Sequence, residues 1–298
     1  AGIRATYFMQ TKYMRDWNDD FILTDESPAI LKKLEAEGME VASHTVAHSR
    51  VFSKFPLGSG DERYPSYRPF VKRKFAADNG TILGELRVSR FLIEKLTGGP
   101  RVVSFRPGHL SNPYQLPQAL VATDYTYSSS VTANNSLTHW PFQLDYGRET
   151  TSEVPVFEFP VTVEDEAQPP LGQRLPAALD LAAKLRRYGG LFMVLIHPDI
   201  LGHKLEFERG FVAAVREYSW FGTLAEFGSW WAARNEVGVD VEASGNTVTL
   251  HVKAAKPLAG LALTVPQGWR LTQGSAHQKG RTLLIGQASG DVQITLAR

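Results

Sequence analysis

Apolar and polar positions follow two textures along the chain, and the change falls near residue 236. Before it, strand-length apolar runs alternate with stretches in which apolar residues recur every three or four positions, the period of a helix with one buried face. Ile3–Met9, Met39–Ala42, Arg101–Phe105, Tyr125–Ser130, Val154–Val163 and Leu191–Ile196 read as strands. Pro155 and Pro160 threaten the edges of the fifth. The continuous run LFMVLI of the last predicts a strand covered on both faces. Helices are predicted over 27–37, 80–96, 116–122, 175–188, 205–218 and 223–234, the first opened by Ser27-Pro28 and the fourth stopped by Gly189-Gly190. Between them, 52–79 has no clear period and is longer than most connections in compact domains. Beyond 236 short β-type runs such as VDVEAS, TVTLHV and VQITLA follow one another with Gly, Pro, Asn and Ser between them. That texture predicts a second, small sandwich-like all-β domain over 237–298, after an α/β domain over 1–236.

Polar chemistry gathers where predicted strands end. His44 and His48, four residues apart, follow the second; Arg106-Pro107-Gly108-His109 follows the third; His197-Pro198 follows the sixth. The carboxyl ends of strands are where open α/β sheets and (β/α) barrels carry their reactive groups. If His44–His48 forms a helical turn, which Thr45 is placed to cap, both imidazoles face one way and supply half of a metal site.

Composition narrows the chemistry. The chain has 298 residues, of which 43% are hydrophobic and 21% charged, enough apolar material for a sizeable core. With 32 Lys and Arg against 31 Asp and Glu, its formal net charge is +1, which offers no field to hold a nucleic acid. The basic run Lys72-Arg73-Lys74 reads as a solvated face. There is no cysteine, so a disulfide, a thiolate ligand and a cysteine nucleophile are excluded, and any metal must use His and carboxylate. No apolar run approaches the roughly 18–20 residues of a membrane span.

In this order the motifs resemble those of the polysaccharide deacetylases of carbohydrate esterase family four, over about Ile3 to Arg234. His44-Thr45-Val46-Ala47-His48 is similar to the family's H(S/T)xxH metal motif, Phe105-Arg106-Pro107-Gly108-His109 to its RxPY/F motif, and Leu195-Ile196-His197 to its LxH motif. The resemblance implies a distorted (β/α) barrel and a divalent ion, most often zinc, held by His44 and His48. It also implies hydrolytic removal of acetyl groups from a polysaccharide of N-acetylated sugars, with a metal-activated water as nucleophile. Arg106 would orient the catalytic base, His197 would act as general acid, and backbone N–H groups near 107–109 would help to hold the oxyanion. Aromatic residues of the long loop, Tyr64, Tyr67 and Phe70, are candidates to stack on sugar rings. Such a substrate implies an extracytoplasmic, bacterial setting.

The chain departs from the pattern in three places. The family's TFDDG motif, source of the base and of a third ligand, is absent, and its place lies just ahead of Ala1, so an N-terminally incomplete chain is expected. Asp16, Asp19 and Asp20 are poorly placed substitutes, being on a loop after the first strand. His109 stands where the family carries an aromatic residue and is expected, with Tyr127, at the substrate. In Tyr127-Ser128-Ser129-Ser130 a serine takes the family's acidic position, with Asp124 nearby but out of register. The alternative reading is an inactive deacetylase-like protein that retains sugar binding or a scaffold role.

Overall fold

A computed structural model describes residues 2–14, 23–72, 76–148 and 152–298. The chain divides into two compact units, Ala1–Ala225 and Glu226–Arg298.

In the first unit, β1 (Thr6–Met9), helix α1 (Ser27–Ala36) and β2 (Glu40–Ser43) form a parallel β-α-β unit. The long connection after β2 contains a small hairpin, β3 (Phe70–Lys72) and β4 (Ala76–Asp78). Helix α2 (Ile82–Thr97) follows; the Thr81 side chain accepts from Gly84 N at 3.0 Å, and Gly98, at φ 61°, ends it. Next come β5 (Ser104–Phe105), α3 (Leu116–Ala122), β6 (Tyr127–Ser128), the single turn α4 (Ala133–Ser136), β7 (Phe142–Asp145) and β8 (Glu153–Glu158). They complete a six-stranded sheet in the order β1-β2-β5-β6-β8-β7, parallel except for β7. The strand predicted over 154–163 is divided: β8 stops at Glu158 and β9 (Val163–Glu164) starts anew beyond Pro160, which has no N–H to continue a ladder. Pro155 is tolerated inside β8 because it falls in an irregularity of the β7 pairing. After α5 (Leu175–Tyr188), β10 (Val194–Leu195) pairs in parallel with β9, and α6 (Leu201–Val215) follows.

The 191–196 run is not the doubly covered strand its composition predicts. Residues 191–197 are all half-buried, because β10 has β9 as its hydrogen-bonded neighbour in a two-stranded sheet. Among the described residues the strand pairings form open paths, a mixed α/β architecture whose parallel strands run in chain order. The core lies between the sheet and α2 and α3, with Phe52, Ile82, Leu86, Ile93, Phe105 and Leu120 at 1% exposure or less.

Helix α7 (Leu224–Asn235) spans the division between the units. The second unit is one antiparallel sheet of five strands: β11 (Gly238–Ser244), β12 (Thr247–Thr264), β13 (Arg270–Gly274), β14 (His277–Lys279) and β15 (Thr282–Ala297). The pairing of β12 with β15 has a register irregularity between Ala254 and Leu258, and the buried positions of β12 run Leu250, Val252, Ala254 and Leu258 before changing parity to Leu261 and, just past the strand's end, Val265. One cluster then holds both halves of β12 and β15, covered by Trp230, whose Nε1 donates to Ala259 O at 2.8 Å.

Candidate active site

Parallel register brings the strand ends side by side. Ser43 pairs with Phe105, and Phe105 with Ser128, so the next residues along, His44, Arg106 and Ser129, form a row. Backbone bonds continue across it: Arg106 N donates to Ser43 O at 3.0 Å and Ser129 N to Phe105 O at 3.0 Å.

His44 Nδ1 lies 2.7 Å from the carbonyl oxygen of Arg106. Nδ1 therefore carries the proton, and Nε2 keeps its lone pair, the tautomer that a metal-ligating imidazole needs. Burial and the neighbouring His48 hold the His44 pKa well below the ordinary histidine value, with Arg106 and His197 pushing the same way against the Arg106 carbonyl bond. The His44 and His48 ring centroids are 4.9 Å apart, and His48 and His109 are 4.5 Å apart. Gly108 is required for that crowding: a Cβ there would stand 2.5 Å from His48 Cδ2.

The expected helical turn at 44–48 is replaced by an irregular loop, with Thr45 at φ 69° and His48 at φ 49°. Two left-handed residues in five cannot continue a helix. Thr45 nevertheless caps the loop, its Oγ1 accepting from His48 N at 3.0 Å. The N–H groups of Val46 and Ala47 donate at 2.9 and 2.7 Å to Oε2 of Glu85, a fully buried carboxylate on α2. Burial raises its pKa to about 7 in spite of these bonds.

Arg106 is 7% exposed. Its Nε donates to Ser129 O at 3.1 Å, its Nη2 to Ser129 Oγ at 2.7 Å and Met193 Sδ at 3.3 Å, and the guanidinium lies 4.3 Å from the Phe8 ring centroid. Burial lowers its pKa to about 10, partly offset by the charge of buried Glu158. Glu158 accepts from Ser130 N at 2.6 Å and Val131 N at 3.1 Å, and so fixes the loop after β6. Ser128, the serine at the acidic position of the motif, lies with its Oγ 2.7 Å from Ser130 Oγ, and it is the next residue, Ser129, that serves the arginine as acceptor and donates onward to Phe159 O at 2.8 Å.

His197 is held by Asp165, which follows β9. Its N–H donates to Oδ2 and its ring Nδ1 to Oδ1, each at 2.8 Å. Lys204 of α6 reaches Asp165 Oδ2 at 2.6 Å and also bonds Asp199. Burial pushes the Asp165 carboxyl up, but the bonds from Lys204 and His197 outweigh it and leave the pKa below the ordinary carboxylate value. His197 is placed by this carboxylate more than by the apolar run beneath it, and its Nε2 remains the nitrogen for chemistry. His197 and the Arg50 guanidinium both act on His109, whose pKa is lowered first by burial.

The structure thus gathers His44, His48, Arg106, His109 and His197 into one region. Tyr127, expected at the substrate, is only 8% exposed, with its ring edge-on to Phe159 at 6.0 Å. Tyr67, expected to stack on sugar, is 6% exposed, and its hydroxyl donates to Glu85 Oε1 at 2.9 Å. Asp16, Asp19 and Asp20, like Arg73 and Lys74, lie outside the described residues. Asp165 and Glu85 were missed in the sequence. Asp165 reads there as part of an acidic loop, whereas Glu85 carries a signal: a carboxylate beside Ile82 and Leu86 on the apolar face of a helix.

Residues 1–128 match the family model of polysaccharide deacetylase. The fold is similar to that of a candidate polysaccharide deacetylase from Mycobacterium smegmatis, at 14% identity and TM-score 0.56, over 82% of this chain and 77% of that one. Weaker similarity extends to the Xyl-CE4 domain of a multidomain xylanase from the hindgut metagenome of Trinervitermes trinervoides (13% identity, TM-score 0.45, 78% and 80% covered). A family 4 acetyl xylan esterase from Clostridium thermocellum in complex with a cobalt ion is comparable (15% identity, TM-score 0.40, 76% and 78% covered). No curated protein matches the chain in sequence. Among the described residues no helix is long and apolar enough to cross a membrane.

Proposed function

We propose that the protein hydrolyses N-acetyl groups of an extracytoplasmic polysaccharide at the strand ends of a distorted (β/α) barrel, with 237–298 as a small β-sandwich accessory domain. The observation that carries this reading is the pairing of a His44 imidazole with Nε2 free as a donor and a His197 imidazole whose Nδ1 is engaged by Asp165.

The donor set fits a divalent ion in part. His44 and His48 are half-buried, neighbouring imidazoles of the type zinc accepts, and they would hold it. When bound, such an ion polarises the amide carbonyl and makes water more acidic. The remaining work falls to the chain's own residues. Arg106, locked by Ser129, fixes the floor between the loops after β2 and β6. His109, beside His48, lines the sugar side. His197 carries the transferable proton on Nε2, and its hydrogen-bonded Nδ1 keeps that nitrogen aimed while the C–N bond breaks and the amine takes the proton.

One observation favours the second reading, a sugar-binding protein without hydrolysis: among the described residues no three His, Asp or Glu side chains converge to hold an ion. Zinc content separates the two. The enzyme reading expects about one zinc per wild-type chain and a loss of most of it in His44→Ala; equal zinc in both proteins refutes the ligand role.

A further inference from the structure

The loop that carries the two candidate ligands belongs to neither helix nor strand: His44 N still donates to Met9 O at 3.0 Å, but the N–H groups of Val46 and Ala47 have no ladder to join. Val46 and Ala47 lie at 0% and 1% exposure, which removes water as a partner. We propose that Glu85 is the positioning residue of this loop: one buried carboxylate takes both N–H groups and thereby sets the spacing of His44 and His48. The inference rests on the reading of those two histidines as ligands.

Several features make Glu85 more than a satisfied core residue. Its Oε2 accepts from Val46 N at 2.9 Å and Ala47 N at 2.7 Å, so a single oxygen pins the two residues midway between the histidines. Its Oε1 accepts from the Tyr67 hydroxyl at 2.9 Å, and that hydroxyl in turn accepts from Thr81 N at 3.0 Å. The carboxylate is thus oriented from the far side by the start of α2 and the long connection before it. The loop needs the hold, because Thr45 and His48 both occupy left-handed backbone conformations that L residues leave unless surrounding bonds fix them. Glu158 and Asp165 repeat the device, the first on two consecutive N–H groups after β6 and the second on the N–H and ring of His197. Three loops of the site are therefore each held by one buried carboxylate. Second partners of ligands typically change metal affinity about 10- to 100-fold when removed.

The test uses the full chain with Glu85→Gln, Glu85→Leu and, as a core-destabilised control away from the loop, Leu120→Ala. Amide hydrogen exchange at Val46 and Ala47 and zinc affinity by competition with a chromophoric chelator are measured for each. Glu85→Gln retains an acceptor and should keep both within about threefold; Glu85→Leu should speed exchange at these two amides at least tenfold and weaken zinc about 10- to 100-fold. Protected amides and unchanged affinity in Glu85→Leu overturn the proposal, as does an equal loss of zinc in Leu120→Ala. If Glu85→Leu does not fold, Tyr67→Phe removes one bond to the same carboxylate and should speed the same amides by a smaller factor; no change there also overturns it. A wild-type protein that takes up no zinc refutes the ligand reading alone, while the exchange data still decide the role of Glu85.

Discussion

Few side chains carry the site, and each is fixed by a partner distant in sequence. Asp165 holds His197 from 32 residues away, and the Arg106 carbonyl fixes the His44 tautomer from 62 residues away. Close approach matters as much as hydrogen bonding. A Cβ on Gly108 would meet His48 Cδ2 at 2.5 Å, so Gly108→Ala should turn the imidazole away and weaken zinc binding about 10-fold or more, as titration with a chelator would read. Unchanged affinity would mean that His48 is not held against the β5 loop. The order of these motifs was legible in the sequence because strand ends are written as apolar runs followed by polar residues. The partners were not, since nothing in an acidic stretch such as Val163–Ala167 says which histidine it will meet.

At the level of elements, the helices were the most legible part. Helix α5 occupies the residues its period predicts, 175–188, and Gly189 at φ 70° ends it as expected. Strand lengths were overestimated: only Ser104–Phe105 and Val194–Leu195 keep ladder geometry within longer apolar runs. The 44–48 segment was misjudged for a physical reason, as its spacing fits a helical turn but its N–H groups find a side-chain acceptor instead. Helix α2 offers a test of how tightly it carries the Tyr67–Glu85 contact. Alanine at Gly84 would gain about 1 kcal/mol of helix propensity. Its Cβ, however, would lie 2.2 Å from Tyr67 Cε2. Gly84→Ala should therefore destabilise the protein by about 1–2 kcal/mol in urea unfolding, overpacking exceeding the propensity gain. A stabilised variant would show that Tyr67 yields easily.

Over the whole molecule, the chain divides into an α/β unit, Ala1–Ala225, and a unit Glu226–Arg298 that joins most of helix α7 to an antiparallel sheet, so the division falls ahead of residue 236, where the texture of the sequence changes. The first unit ties its stability to ionisation through Asp165, which is 6% exposed and paired with Lys204 at 2.6 Å. Its folded-state pKa lies below the unfolded value near 3.8. The stability it adds is therefore fully present above about pH 4 and is lost as pH falls through the folded value. Asp165→Asn should cost about 3 kcal/mol at pH 7, and the gap from wild type should close as unfolding is repeated toward pH 2. A gap that stays constant would show that the ion pair contributes nothing through charge.

The central claim is that one histidine at each side of this site serves one hydrolytic reaction, and acetate release from an N-acetylated polysaccharide by zinc-loaded full chain tests it most directly. Wild type should release acetate, and His197→Ala should be slower by about 10²–10⁴ with the same zinc content. Equal turnover in the two proteins, or none in a wild type that carries its zinc, would contradict the account.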